Sequence, residues 1–472
     1  MISSSLAIAL AWVVGFPLAR LLDPTSRGGR WVGSAGLIGL GITAILMGLI
    51  STLGLSWTPV SVGAGILILG SAAFLFGRAG SRAEGVPSPQ PIKQSALAWI
   101  ADAISILAIV GFGMMATVAR SAEFDFVGIW GVKARLFWHI RGIDWNSLRD
   151  PYLSYSHQDY PILLPLIMDY LALAAGYWNE EGMGLLYVAF AMAALLMIRS
   201  AVREATGSSA LSSIATLGLT GAVCSPYVGI AEGPLIAFGT CAFLELRRGL
   251  HEDSPGAVRM GAVLLGFGAL TKNEGLAWLV AVAISFVLAH QRARWRSLKA
   301  LWPAAALALL WLVPRTVLRL STDLTEGSVL TRVWQHLHQL DVYLQALRTY
   351  PVGKPLFWIG VIIAIALTVR RAVQAEQFGL VSLAIQYGFL AGAYLVTPND
   401  IVWHLRFSAE RVINQVTPVL AFTAIVLIAP LMRRRGSPEI PGLVDGHESP
   451  SMAEESDHDR LITSRGIQRT LA

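Results

Sequence analysis

Apolar residues occur along this chain in long runs that short polar segments separate. A run of about 20 apolar residues is long enough to cross a bilayer as a helix, and only helices and closed barrels satisfy their backbone polar groups in hydrocarbon. The pattern predicts about thirteen spans of this kind. They are expected at residues 3–20, 33–54, 61–77, 96–118, 184–198, 209–225, 234–246, 258–270, 275–289, 300–314, 355–369, 378–396 and 412–431. The predicted fold class is an all-α polytopic membrane protein.

A further apolar run at residues 162–178 does not fit this count. It contains Pro165 and Asp169, and it is short for a span. If it crossed the bilayer, every later loop would change sides. A helix that enters the membrane without crossing it is tolerated where other parts of the protein bury it. We therefore predict a re-entrant or interfacial helix, so that the first outward loop is a helical, juxtamembrane segment.

The basic residues divide the loops into two sets. One set carries most of the arginine and lysine, for example at residues 20–30, 78–93 and 292–299, whereas the acids and histidines collect in the loops between them. Basic loops face the cytoplasm in most membrane proteins. The chain is therefore expected in the cytoplasmic (inner) membrane, with its N-terminus outside, its C-terminus inside and the acidic loops on the extracytoplasmic face.

The same pattern suggests domain limits. Residues 1–78 hold three N-terminal spans that we expect to be accessory, and residues 79–95 form a cytoplasmic linker rich in proline, glycine and serine. Residues 96–431 are the predicted helical core. Residues 432–472 are polar and poor in aromatic residues, a composition that predicts a disordered cytoplasmic tail.

Composition agrees with a membrane protein and excludes a soluble globule. Hydrophobic residues make up 54% of the chain and charged residues 14%, whereas soluble domains have about 25% charged residues. The net charge of +6 follows from the basic cytoplasmic loops, so no nucleic-acid partner is expected. Cys224 and Cys241 lie in apolar runs and provide neither a disulfide framework nor a thiolate metal site.

The first outward loop offers a candidate catalytic acid. Glu123 and Asp125 follow the end of a predicted span, and Trp130, Lys133 and Phe137 come next at helical spacing. A carboxylate among apolar residues at a membrane edge can gain enough basicity to take a proton from a hydroxyl or an amine. The alternative is an acid that only marks a solvated loop end.

The segment His157-Gln158-Asp159-Tyr160-Pro161 lies in the same loop. His157 and Asp159 are two possible ligands for a metal or a phosphate group, which is too few to define a metal site. The sequence therefore leaves a divalent metal open and establishes no cofactor. The alternative for this segment is a turn that Asp159 stabilises.

Two short outward loops also carry charges. Glu232 is the only charge between two spans, and a carboxylate at such a position is costly unless it has a partner or a function. Lys272, Asn273 and Glu274 form a tight turn, in which Lys272 could hold a lipid phosphate. The alternative for Glu232 is pairing with a lysine. The alternative for the second loop is a simple turn, in which Lys272 and Glu274 pair with neighbouring residues.

The last outward loop, residues 397–411, contains Asp400, His404, Arg406 and Arg411. Arg411 stands where the final span begins, and arginine can hold a phosphate diester through two donors. An interfacial anchor is the alternative. No phosphate-binding loop, dinucleotide fingerprint, HExxH or GxSxG motif accompanies these residues. Because there is also no soluble nucleotide-sugar domain, an activated sugar would arrive on a lipid.

Five motifs together resemble the GT-C superfamily of membrane glycosyltransferases, in particular the family 39-like group of protein O-mannosyltransferases, aminoarabinose transferases and Rgt-type transferases. The resemblance covers roughly residues 96–431. Its motifs are Asp125-x4-Trp130-x2-Lys133-Ala134, His157-x-Asp159-Tyr160-Pro161-x-Leu163-Leu164-Pro165, Tyr227-x3-Ala231-Glu232-x-Pro234-Leu235, Leu270-Thr271-Lys272-Asn273-Glu274-Gly275, and Tyr394-Leu395-x-Thr397-Pro398-x-Asp400-x2-Trp403-His404-Leu405 followed by Arg411.

The resemblance implies a GT-C-like core that transfers a sugar, with inversion, from a polyprenyl-phosphate donor to an extracytoplasmic lipid, glycan or protein. It implies that Asp125 is the general base and that Glu232 is a second catalytic acid, where the family pattern more often has Asp. Lys272, Arg411, His404 and Lys133 are then expected to bind the donor phosphate or lipid. The expected substrate-binding residues are Trp130, His157, Asp159, Tyr160, Tyr227, Asn273, Glu274 and Asp400. Arg406 replaces a small polar residue and is assigned no role.

Two other functions fit the same features. A flippase or transporter of a lipid-linked saccharide would use a similar cavity and similar basic residues, but no inverted repeat is recognisable in the chain. A polyprenol-linked glycan ligase would also transfer a glycan, and its donor would be a diphosphate-linked chain.

Overall fold

The computed structural model describes residues 1–80, 94–118, 124–224, 228–289, 299–320, 322, 328–342 and 376–436. Within these ranges the protein is helical and contains no strand, which confirms the all-α class. The helices in chain order are α1 Ile2–Leu22, α2 Gly28–Thr52, α3 Pro59–Gly80, α4 Ala96–Val118, α5 Gly131–Ile140, α6 Leu163–Ala175, α7 Glu180–Thr206, α8 Ser209–Val223, α9 Glu232–His251, α10 Pro255–Ala269, α11 Asn273–Ala289, α12 Trp302–Val317, α13 Val329–Leu337, α14 Gln377–Val396, α15 Ile401–Asn414 and α16 Thr417–Gly436.

Six of the described helices are long and apolar enough to cross a membrane: α1, α2, α3, α4, α7 and α14. A seventh span results if α15 and α16, which meet at 47°, form one broken span. The predicted number of about thirteen is not confirmed. One reason is length, because a 15-residue helix such as α8 is only about 23 Å long, against roughly 30 Å of hydrocarbon. The predicted span at 355–369 lies outside the described residues.

The run at residues 162–178 forms the short helix α6, which has 13 residues. It ends at Gly176, whose φ of 81° allows the chain to turn there. Every residue from Leu163 to Leu173 is buried, and α6 packs against α1, α2 and α5. Its backbone is therefore enclosed by protein, which is the condition under which a short helix is tolerated at membrane depth.

The three N-terminal helices belong to the same compact unit as the rest of the helices, since residues Met1–Pro430 form one unit. Close approach of α1 and α2 depends on small residues, because a Cβ on Gly15 or Gly39 would meet a backbone oxygen at 1.8 Å. Helix α2 also packs against α6 and α7. A second unit comprises Leu431–Ala472, of which residues 431–436 are described and helical.

The segment that the sequence predicts as the first outward loop is helical, as expected. A π-helical turn at Phe126–Trp130 leads into α5, and two 3-10 turns, Ser147–Arg149 and Pro151–Ser156, precede α6. Trp130, Lys133, Ala134 and Phe137 are all buried on one face, which confirms the helical spacing inferred for them. Glu123 and most of the linker at 79–95 lie outside the described residues, as does the tail beyond residue 436.

A buried ionic network surrounds the C-terminal end of α9, and the sequence patterns did not indicate it. Arg30 lies between Glu204 and Glu245, at 2.6 Å from Nε to Oε2 and 2.9 Å from Nη1 to Oε1. Arg248 contacts Glu245 at 2.8 Å and also pairs with Asp23. We call these five residues the Arg248 network. It joins the α1–α2 connection to the ends of α7 and α9.

Candidate active site

Four charged residues from distant parts of the chain meet at the other end of α9. Asp125 immediately precedes the π-helical turn, Glu232 is the first residue of α9, Lys272 lies in the turn between α10 and α11, and Arg411 is in the last turn of α15. Asp125 and Arg411 are 286 residues apart in sequence. We call these four residues the site cluster. The sequence places these residues in four separate predicted outward loops and predicts that they lie on the same face.

The site cluster is a chain of alternating charges. Arg411 Nη1 donates to Asp125 Oδ2 at 2.8 Å, and Arg411 Nε lies 3.9 Å from Glu232 Oε1. Lys272 Nζ donates to the same Glu232 oxygen at 3.0 Å. Asp125 and Arg411 have side-chain exposures of 20% and 18%, whereas Glu232 is only 1% exposed. The accessible end of the cluster is therefore the Asp125–Arg411 pair.

Lys272 is held as a cation by two carboxylates. Its Nζ lies 2.8 Å from Glu274 Oε1 in addition to its contact with Glu232. Burial by itself lowers the pKa of Lys272, but the charges of Glu232 and Glu274 outweigh it and raise that pKa well above its usual value. A fixed positive charge at this position is suited to an anionic ligand such as phosphate.

Asp159 connects the site cluster to α12. Its Oδ2 accepts a hydrogen bond from Asn273 Nδ2 at 2.7 Å and lies 3.4 Å from Arg315 Nη2. The indole of Trp311 donates to the Asp159 carbonyl at 2.9 Å. Sequence reasoning missed Arg315 and Trp311, because they lie at the end of an apolar run and Arg315 resembles an ordinary interfacial arginine. A single basic residue before a predicted outward loop was the available signal.

Lys133 lies beside the segment that contains Asp159. Its ammonium donates to the His157 carbonyl at 2.5 Å and lies over the rings of Trp130 and Tyr160, at 5.6 and 5.8 Å from their centroids. The two rings stack on each other, and His157 stacks on Tyr160. Burial lowers the pKa of Lys133 to about 7, although the nearby Asp159 acts in the opposite direction. The ammonium of Lys133 is thus engaged by residues of the loop between α5 and α6 and by Trp130.

The remaining predicted site residues serve the ends of helices or lie outside the described ranges. The Asp400 side chain caps α15 by accepting from the Trp403 amide at 2.9 Å. His404 Nδ1 is 2.8 Å from Thr397 Oγ1, and its ring contacts Tyr394. Tyr227 lies outside the described residues. Within the described ranges, no group of three or more His, Cys, Asp or Glu side chains could hold a metal ion.

An apolar groove of about 650 Å3 adjoins these residues. Ile45 and Gly48 of α2, Leu166 of α6 and Pro314 of α12 contribute to its walls. Trp311 lines the groove and also donates to Asp159, so one wall is shared with the polar residues. The sequence matches no family model, no curated protein and no solved structure.

Proposed function

We propose that this protein is an integral-membrane glycosyltransferase of the GT-C type, which moves a sugar from a polyprenyl-phosphate donor to an extracytoplasmic lipid, glycan or protein with inversion. The observation that carries the proposal is the site cluster: an accessible carboxylate, Asp125, lies in one ion-pair chain with two cations, Lys272 and Arg411. Catalysis of this transfer needs a proton acceptor and a stabilised leaving phosphate close together.

The proposed reaction is a single displacement. A hydroxyl oxygen or amine nitrogen of the acceptor attacks the anomeric carbon, while Asp125 takes the proton from that atom. The bond between the anomeric carbon and the phosphate oxygen breaks, and polyprenyl phosphate leaves with both bonding electrons. Lys272 and Arg411 stabilise the charge that develops on it. One displacement at the anomeric carbon inverts its configuration.

Arg411 has a double role in this proposal. Before the donor binds, its guanidinium donates to Asp125, and its Nε lies 3.9 Å from Glu232 Oε1. An incoming phosphate is a strong partner for a guanidinium and competes with Asp125 for it. Binding of the donor therefore draws Arg411 away from the base and leaves the Asp125 carboxylate free to accept a proton.

The apolar groove supports a donor that carries a hydrocarbon chain. Its volume of about 650 Å3 lies within the range of sites that enclose a small ligand, roughly 300–1,000 Å3, and its walls are almost entirely apolar side chains. Helix α2 forms part of the groove. In this proposal, one of the three N-terminal helices that were expected to be accessory therefore lies beside the donor. The proposal keeps the predicted inner-membrane location, the extracytoplasmic site, the outside N-terminus and a total of about thirteen spans.

The test is transfer by the purified protein in proteoliposomes. The donors are polyprenyl phosphates carrying labelled glucose, mannose, galactose or arabinose, and the acceptors are envelope lipids and glycans. Wild-type protein should form a labelled glycoside with at least one donor. Asp125→Asn should reduce that rate by about 100-fold or more, the size of a lost general base.

Asp144→Asn is the matched control. Asp144 lies in the same loop, where its carboxylate accepts from Asn146 and Ser147 and has no contact with the site cluster, and its variant should retain transfer. Label that crosses the membrane without forming a glycoside would indicate a flippase. Transfer from diphosphate-linked chains alone would indicate a glycan ligase. Full activity of Asp125→Asn would remove the base assignment.

A further inference from the structure

Glu232 uses only one of its two carboxylate oxygens within the site cluster. Oε1 accepts from Lys272 at 3.0 Å and lies 3.9 Å from Arg411. Oε2 is buried and has no hydrogen-bond partner in the part of the chain that the structure describes. Leaving a buried acceptor without a donor is energetically costly, and the cost is greater when the acceptor is charged. Oε2 is therefore an acceptor of the site cluster that no donor of the described residues satisfies.

Asn273 provides a second acceptor of the same kind next to Lys272. Its Nδ2 donates to Asp159 Oδ2 at 2.7 Å, and its Oδ1 is buried without a hydrogen-bond partner among the described residues. The orientation of this amide follows from chemistry, because the opposite one would turn the amide oxygen toward a carboxylate. Both open atoms are thus acceptors, and both belong to residues that are adjacent to Lys272 in space or in sequence.

Open acceptors select a ligand that has donors. A phosphate dianion has none and would be repelled by Glu232 Oε2, so these atoms are not a second phosphate site. Hydroxyl groups supply the missing donors. We infer that Glu232 Oε2 and Asn273 Oδ1 bind hydroxyls of the donor's sugar ring, an inference that rests on the proposed function.

The position of the Glu232 carboxylate indicates which hydroxyl of the sugar it binds. One oxygen of this carboxylate contacts the cations assigned to the phosphate, and the other lies at most one carboxylate width away. The hydroxyl in question must therefore be close to the phosphate along the donor molecule. In a sugar phosphate the nearest is the hydroxyl on C2, next to the anomeric carbon. Glu232 is then the residue that sets the position of the reacting carbon relative to Lys272 and Arg411.

Glu232→Gln tests this assignment with little change in shape. The amide oxygen will face the Lys272 ammonium, because the opposite orientation sets two donors against each other. The amide nitrogen then replaces Oε2, which converts the open acceptor into a donor. Asp144→Asn is the control, since it also converts a carboxylate to an amide, and among the described residues Asp144 bonds only within its own turn and not to the site cluster.

The measurement is the affinity of the protein in nanodiscs for farnesyl phosphate and for farnesyl phosphates that carry glucose, 2-deoxyglucose or 6-deoxyglucose. The quantity compared is the gain in affinity that the sugar provides over farnesyl phosphate alone. In wild-type protein we expect a gain of about tenfold or more, which is lost with 2-deoxyglucose and kept with 6-deoxyglucose. Glu232→Gln should abolish the gain, and Asp144→Asn should preserve it.

Asn273→Ala is a second variant that changes no charge, and it should reduce the gain several-fold while farnesyl phosphate still binds. An unchanged gain in Glu232→Gln overturns the inference, and so does an equal loss in Glu232→Gln and Asp144→Asn, because the loss would then not come from Glu232. In either case farnesyl phosphate still binds and the proposed function stands. If farnesyl phosphate does not bind wild-type protein at all, the proposed donor is wrong and the inference falls with it.

Discussion

Buried charges lie at both ends of α9, but they are fully paired at one end and incompletely paired at the other. At the C-terminal end, the Arg248 network gives every one of its buried charges an oppositely charged partner. At the N-terminal end, the site cluster leaves an oxygen of Glu232 open and makes Asp125 and Glu232 share Arg411. The helix between them has 20 residues, about 30 Å. Both clusters bury charge, but only one leaves hydrogen-bonding capacity unused.

The sequence of α9 suits both arrangements. A carboxylate in the first turn and a guanidinium in the last turn each have the favourable sign for the helix dipole, and Glu232 and Arg248 occupy these turns. The difference lies in the partners. Saturated ion pairs fix the positions of three segments, whereas an unsaturated cluster retains groups that a ligand can engage. The comparison therefore predicts large stability effects at one end and large functional effects at the other.

The largest expected effect is on stability, from Arg248→Met. This change leaves Asp23 and Glu245, both fully buried, without the guanidinium between them. Removing one partner of a buried pair typically costs about 3–5 kcal/mol. Arg411→Met should cost clearly less, since Arg411 is partly exposed and Glu232 keeps Lys272. Unfolding of the two variants in detergent by heat or by SDS measures the difference.

Transfer activity should show the reverse order for the same two variants. Folded Arg248→Met should retain sugar transfer at low temperature, whereas Arg411→Met should lose it while remaining folded. Equal losses of stability at the two arginines would contradict the distinction between the saturated and the unsaturated cluster.

A smaller effect on stability is expected from pH at Lys133, a buried cation that has no carboxylate in hydrogen-bond contact among the described residues. Its folded pKa of about 7 lies below the unfolded value of 10.5. Between these values only the unfolded chain keeps the proton, so stability rises with pH across the window, by at most about 1.4 kcal/mol per pH unit. Below pH 7 both states are protonated and the full cost of burying the charge is present.

The measurement compares wild-type protein with Lys133→Met at pH 7.5 and 9.5. Between these pH values the free energy of unfolding of the wild type should rise by roughly 2–3 kcal/mol more than that of the variant. The methionine at position 133 of the variant has no titratable group. A constant difference between the two proteins would show that Lys133 keeps its proton in the folded state.

Much of the fold was readable from apolar periodicity. The start and end of α1, α2, α4 and α14 lie within a few residues of the predicted runs, and the short helix α6 was recognised from its length and its Asp169. The predicted number of about thirteen spans is not confirmed, because an apolar run reports burial, and burial inside a protein and immersion in lipid give the same signal. Helices α8 and α10 to α12 are apolar but only 15 to 17 residues long.

The sequence indicated the members of the site cluster but not their contacts. Acids and bases at helix ends in the predicted outward loops indicated Asp125, Glu232, Lys272 and Arg411, and these four side chains lie together in the structure. The sequence could not indicate that Arg411 is shared by two carboxylates, because pairing across 286 residues depends on packing. The Arg248 network was missed for the same reason, since its arginines were attributed to cytoplasmic loops.

The smallest expected effect concerns Asp400, for which sequence and structure give different roles. The resemblance assigns it to the substrate, whereas its carboxylate caps α15 by accepting from the Trp403 amide. Asparagine caps a helix about as well as aspartate, and alanine costs about 1 kcal/mol. Asp400→Asn should therefore keep both stability and transfer, and Asp400→Ala should lose about 1 kcal/mol of stability, measured by thermal unfolding.

Because α15 ends near Arg411, a loosened start of this helix should weaken donor binding slightly in the alanine variant. If Asp400→Asn keeps its stability but loses transfer, then Asp400 contacts substrate and the site cluster extends to the other end of α15.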